Sequence, residues 1–270
     1  MMGKITQEQR NRYFEKVKEH RRTIEAGLAK EKTLLDLLAK DESGAGYKRL
    51  KLANDALDLC SWYMLVNNLS VSLLGIKNED YLLEARKTLV RAIKYIEDTV
   101  SPYLDVPFSD YEGKLEDIKD FDSEGRFRLL RKLGFAVQSL EDAFGENSKY
   151  SASFIEVWGK VATVGKNLVN LKTAVPDMDF NSPVRAVVMS HLALVKQLFQ
   201  RSADRYREQY ELYTHKVQDF RAAVIYLQAL RRIHIVLSER EEAETLKRKV
   251  EIWSTKLEAD LKKAEEAKSK

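Results

Sequence analysis

The sequence predicts an all-α protein, an elongated bundle of about seven or eight mostly long, antiparallel helices. Three observations predict it. Apolar residues recur at helical steps of three and four along most of the chain, and no stretch shows the period-two alternation of a half-buried strand. Glycine (11) and proline (4) are scarce among 270 residues, so turns are few and elements long. Charged residues make up 33% of the chain, with signs interspersed as on solvated helix faces.

Taken in order, Thr6 with Gln9 forms a capping-box pattern that opens a first helix running to about Lys40. The stretch Glu-Ser-Gly-Ala-Gly, 42–46, ends it. A second helix runs from about Tyr47 to Gly75 and contains 18 residues, 59–76, without a formal charge. A bilayer core needs roughly 20 mostly apolar residues, and Asn67 and Asn68 would lie at its middle. The stretch is therefore expected to be a central core helix. Leu59, Trp62, Val66, Leu69, Leu73 and Ile76 form one seam, Cys60, Met64, Asn67, Val71 and Leu74 a second, and Asp58, Ser61, Asn68 and Ser72 a narrow polar strip. Asn67 is the odd member of its apolar stripe, a buried polar candidate that must bond a neighbouring helix, fix register or touch a ligand.

Asn78 is placed to cap a third helix, with Leu82, Ala85, Leu89, Ala92, Ile93 and Ile96 on its inner face. The segment 101–110 holds two of the prolines and reads as irregular, followed by a short helix or a pair of turns to about Phe121. Glu124 to Phe144 reads as a helix. Ser153 with Glu156 predicts another, to about Ala174, and Ser182 with Pro183 at the first turn predicts the next. From Val184 to the end, 87 residues contain neither Gly nor Pro. Ser238 with Glu241 predicts a break there and a last helix to about Leu261, with fraying beyond.

The chain has the length of one all-α domain, 1–270, with a possible subdivision into N-terminal hairpins (1–100), an acidic linker (101–122) and C-terminal helices (123–270). Net charge is +3 over 1–100, −4 over 101–181 and +5 over 182–270. The near balance argues against a dedicated nucleic-acid binder, which carries a basic stripe. Cys60 is the sole cysteine, which excludes an internal disulfide, and the first twenty residues show no apolar signal core. The expected compartment is the cytoplasm.

Chemistry-bearing motifs are weak. Asp120, Asp122 and Glu124 with Gly125 copy the first half of a calcium loop, but Arg131 stands where the bidentate Glu belongs. The expected role is an acidic turn in which Asp122 or Ser123 caps the next helix. Gly159 to Asn167 imitates a phosphate loop with the wrong spacing, inside a helical pattern, so its glycines are expected to admit a close helix neighbour. The four histidines form no zinc or di-iron spacing, and Cys60 lacks a nearby cation. Basic clusters at 20–22, 231–232 and 247–249 are interrupted by acids. No catalytic residue, cofactor or metal ligand is indicated.

The clearest interaction feature is a tyrosine stripe, Tyr206, Tyr210 and Tyr213, in a polar helix segment with Arg201 and Arg205 nearby. Tyr and Arg are favoured at protein contacts because they combine apolar area with a polar tip. The stripe either packs on the first helix or engages a partner. The expected function is a non-catalytic interaction, scaffold or assembly protein, with coiled-coil-like seams and a protein partner or a second copy. An alternative is a helical ligand-binding domain or enzyme with a pocket near Asn67 lined by Trp62, Tyr63 and His191. A weaker one is a nucleic-acid adaptor using Lys247 to Lys249.

Overall fold

The structure is a computed structural model that describes residues 5–146 and 148–268. Among them every regular element is helical: α1 (Gln7–Lys40), α2 (Ala45–Leu74), α3 (Glu79–Thr99), α4 (Glu112–Glu116), α5 (Ser123–Phe144), α6 (Ser151–Asn167), α7 (Leu171–Asp177), α8 (Arg185–Glu208), α9 (Val217–Val236) and α10 (Arg240–Lys268). A 3-10 turn occupies Phe108–Asp110 and a π-helical turn Gln209–Thr214. Ten helices thus replace the expected seven or eight: α7 is split from the helix expected to reach Ala174, and the segment expected to run unbroken from Ser182 to Ser238 is divided into α8 and α9. No helix among the described residues is long and apolar enough to cross a membrane.

The chain divides into two compact units. The first comprises the chain up to Ser101 together with Gly113–Asp120 and Arg128–Ser151; the second comprises Pro102–Glu112, Phe121–Phe127 and the chain from Ala152 onward.

In the first unit α2 packs against both α1 and α3. Thr6 and Gln9 form the reciprocal capping box that opens α1, and Gly75 in the left-handed region (φ 66°) closes α2. α1 touches its neighbours through a thin row: Tyr13, Val17 and Ile24 are buried, with His20, Gly27, Glu31, Leu34 and Leu38 half-buried at the same steps of three and four. At one end of α1 the Tyr13 hydroxyl accepts from Asn78 Nδ2 (3.0 Å). Toward the other, the Glu31 carboxylate accepts from Arg91 Nε (3.0 Å) and Nη2 (3.2 Å) and from the Tyr95 hydroxyl (2.8 Å). α1 and α3 therefore run the same way, and α2 returns between them.

Asn67 is resolved by this geometry. It is 2% exposed, and its Oδ1 accepts the backbone N–H of Asn78 (2.9 Å) while Nδ2 donates to Asn68 Oδ1 (3.4 Å). Asn78 in turn accepts the Tyr81 N–H (3.2 Å) as the N-cap of α3. Asn67 thus ties the end of α2 to the start of α3. Asn67→Ala leaves the Asn78 donor unmet, and we expect a loss of about 1–3 kcal/mol in urea unfolding at constant m-value. A midpoint equal to that of the unsubstituted chain would show that the bond contributes nothing.

In the second unit α9 packs against both α8 and α10. Asp204 pairs with Lys249 (3.3 Å) and Glu211 with Lys256 (3.0 Å), while Tyr210 donates to Asp260 (2.7 Å). α8 and α10 run the same way, and α9 returns between them. No glycine is available after Gly165, so His215 (φ 51°) and Ser238 (φ 61°) adopt the left-handed conformation at the turns before and after α9. α6 reaches α9 through Gly159: a Cβ there would lie 2.1 Å from the Tyr226 hydroxyl oxygen.

Several expected helix boundaries are corrected. Ser153 does not cap α6, because the helix opens two residues earlier, at Ser151, and Ser153 lies within it. That helix ends at Asn167 rather than near Ala174; Asn170 accepts the Lys172 N–H (3.1 Å) and opens α7 separately. Ser182 bonds the Val184 N–H (3.4 Å) within the preceding turn, and α8 begins only at Arg185. Ser238 is the left-handed residue after α9, so the first bond into α10 runs from the Ala243 N–H to Glu239 O (3.1 Å). α10 continues to Lys268, past the expected end at Leu261. The break at 209–216 was not legible in the sequence, because Tyr206, Tyr210, Tyr213 and Val217 keep helical steps across it.

Candidate functional site

The uncharged stretch has two faces. Leu59, Cys60, Tyr63, Val66, Asn67 and Ser70 are buried, whereas Ser61, Leu65 and Asn68 reach the surface. Beside that outer row lies α5, whose Leu129, Leu130, Leu133, Ala136, Val137 and Leu140 are buried. Lys132 secures the pair: its ammonium donates to the Asn54 carbonyl (3.2 Å) and side chain (2.7 Å) and lies 2.7 Å from Asp58 Oδ1. Between the two helices, Cys60, Met64, Leu65, Asn68, Phe135 and Ser139 line an open groove of about 240 Å³. Phe135 stands 75% exposed at its edge. Burial pushes the Cys60 thiol up to about 12, so it contributes apolar lining and no nucleophile at neutral pH.

Phe135 is the residue that sequence reasoning missed. A signal existed: on the row Arg128, Arg131, Phe135, Gln138, Asp142, spaced at steps of three and four, Phe135 is the lone apolar side chain. A row facing away from the buried leucines of its own helix is an outer face, and the aromatic there borders the groove.

The tyrosine stripe divides. Tyr206 stacks on Tyr226 (5.6 Å between ring centres) and Tyr210 on Phe220 (5.1 Å), so both pack on α9. Burial raises the Tyr206 hydroxyl to about 12, and burial together with Asp260 does the same for Tyr210. The Arg201 guanidinium lies 4.4 Å from the Trp158 ring centre. Arg205 is half-buried one residue before Tyr206. Tyr213, on the π-helical turn, is 72% exposed beside the exposed Leu212.

Buried ionisable groups gather in the second unit. Lys166 donates to the Leu104 carbonyl (3.1 Å) and lies 5.6 Å from the Tyr111 ring centre; burial pushes its ammonium down to about 8, against an opposing pull from Asp105. His191, named above as a possible neighbour of Asn67, packs within this unit. Its Nε2 lies 2.9 Å from the Gly165 carbonyl and its ring faces Phe127. Arg126 donates from Nε to Phe121 O (2.7 Å) and from Nη1 to Leu168 O (3.2 Å). Arg126 and His191 border a small, partly open cleft of about 30 Å³.

Burial drives the His191 imidazole down from 6.5 to about 4, with a smaller push from Arg126. The unfolded chain then binds the extra proton between these values. Stability from this site is complete above pH 6.5 and drains away as pH falls toward 4, by about 3 kcal/mol. His191→Gln should remove that component, read as a shallower fall in the urea midpoint between pH 6.5 and 4. Parallel curves for the two proteins would disprove the assignment.

The motif-like stretches take structural parts. Asp122 Oδ1 accepts the Gly125 N–H (2.7 Å) at the start of α5, and Asp120 accepts from the Tyr47 hydroxyl (3.2 Å). Among the described residues no group of three or more His, Cys, Asp or Glu is placed to hold a metal ion. In the cluster at 247–249, Lys247 pairs with Glu244 (3.8 Å), and Lys249 pairs with Asp204 and lies 4.8 Å from the Trp253 ring centre.

The fold and these surfaces define an all-helical protein whose most exposed large apolar feature in the first unit borders an uncharged groove. The chain belongs to the TP0443 family, whose profile matches residues 9–261. No curated protein and no solved structure matches the chain.

Proposed function

We propose that this is a non-catalytic interaction or assembly protein of the cytoplasm that docks a helical partner on the α2–α5 groove. The observation that carries this reading is Phe135, an aromatic ring 75% exposed beside Leu65 and Met64. A large apolar side chain in water, bordering an apolar recess, gains by burial against another molecule. The α2 bank is free of formal charge over 18 residues, so no charge on that bank has to be desolvated when a partner settles. At about 240 Å³ the groove is smaller than the about 300–1,000 Å³ typical of ligand pockets, and suits inserted side chains better than an enclosed metabolite. Tyr213 and Leu212 on the π-helical turn are a second exposed pair in the other unit.

The test is affinity capture from the source cell with the unsubstituted chain and with Phe135→Asp. A protein retained by the first and lost by the second is the expected result. Identical capture by both, or none by either, would set the reading aside.

A further inference from the structure

We propose that the occupant of the α2–α5 groove is a second copy of this chain, laid antiparallel across it so that α5 meets α5 about a two-fold axis near Phe135. This rests on the interaction reading above and names its partner.

The argument is the order of charges on the outer row of α5. Arg128 and Arg131 precede Phe135 by seven and four residues, and Asp142 follows it by seven. All four are exposed. A two-fold contact is self-complementary: residue i of one copy meets residue j of the other, and j meets i. Antiparallel helices centred on Phe135 set Arg128 of each copy against Asp142 of its mate, about 10 Å along the helix on either side of the axis. Arg131 falls against Ser139, three residues from the mate's Asp142. A parallel arrangement would set Arg128 on Arg128 and Asp142 on Asp142, which like-charge repulsion opposes.

The groove completes the fit. It lies beside Phe135 and is lined by Met64, Leu65 and Ser139, so the mate's Phe135 enters the recess that flanks its own counterpart. Along the groove the α2 bank is uncharged, because Ser61, Leu65 and Asn68 form its outer row there; Asp58, the next residue on that row, is paired with Lys132. Hydrophobic anchors at the centre with charged pairs at the rim is the usual division between affinity and orientation. The uncharged stretch of α2 thus serves two surfaces, the core on one face and the mate on the other.

The experiment is sedimentation equilibrium and light scattering on the full chain across a hundredfold range of concentration. The unsubstituted chain should reach twice its 31.2 kDa mass. Phe135→Asp, at a site too exposed to affect folding, should remain monomeric with an unchanged far-ultraviolet spectrum. Asp142→Arg should weaken association at least tenfold, and Arg128→Glu combined with Asp142→Arg should restore it, since the swap regenerates the pairs only between copies. A monomer at every concentration overturns self-association and leaves the capture experiment to decide the interaction reading. A dimer indifferent to Phe135→Asp, or a charge swap without rescue, overturns this surface while leaving assembly as such standing.

Discussion

Phe220→Ala lowers the stability of the folded chain by about 3–5 kcal/mol, the usual range for deleting a buried phenylalanine. Phe220 is 1% exposed. Its ring stacks on Tyr210 (5.1 Å), tilts against Trp253 (5.8 Å) and lies 5.3 Å from the Lys256 ammonium. It thereby joins the π-helical turn, α9 and α10, and its loss opens a cavity where all three meet. The measurement is urea unfolding followed by circular dichroism, with the near-ultraviolet band as a check on aromatic packing. Tyr213→Ala is the matched control: at an exposed site its cost should stay within about 0.5 kcal/mol. Comparable losses in the two variants would contradict the division of the tyrosine stripe into a buried part and a wet part.

Gly159→Ala should cost about 1–3 kcal/mol, as overpacking does in a filled interior. The added Cβ would lie 2.1 Å from the Tyr226 hydroxyl oxygen and 2.9 Å from Cζ. The ring has little room to yield, since Tyr206 stacks on it at 5.6 Å and Phe199 meets it edge-on at 5.9 Å. Removing the hydroxyl with Tyr226→Phe in the same chain takes away the closest atom and should recover part of the loss. The double-mutant cycle then shows a coupling of about 0.5–3 kcal/mol. Strict additivity would mean that Gly159 does not set the approach of α6 to α9.

Much of the fold was legible because its causes are local. The capping box at Thr6 and the Asn78 cap each depend on groups within a few residues of one another, and each is present; the break expected at 42–46 falls at 41–44, with α2 opening at Ala45 instead of near Tyr47. Asp122 capping α5 and Gly159 admitting a close neighbour were also foreseen. The misread boundaries lie elsewhere. At Ser153, Ser182 and Ser238 the pattern of a cap was present, but each serine has another place: Ser153 lies inside α6, Ser182 bonds the Val184 N–H in the turn before α8, and Ser238 is the left-handed residue after α9. The π-helical turn escaped notice for the same reason that the tyrosine stripe looked continuous: one widened turn leaves the step pattern intact while changing which way the following side chains face.

The sequence by itself determined that this chain is helical, where α1, α3 and α5 start, and that residues 59–76 are too short and too polar to span a bilayer, because hydrophobic period, capping chemistry and side-chain polarity act over one or two turns. Only the tertiary structure decided which of two stripes each helix buries. It turned Tyr206 and Tyr210 inward and left Tyr213 out, placed His191 in the second unit, and left Phe135 in water beside the uncharged bank of α2. A helix offers several faces of similar polarity, and the choice among them falls to partners far away in the chain, whose positions no local pattern encodes.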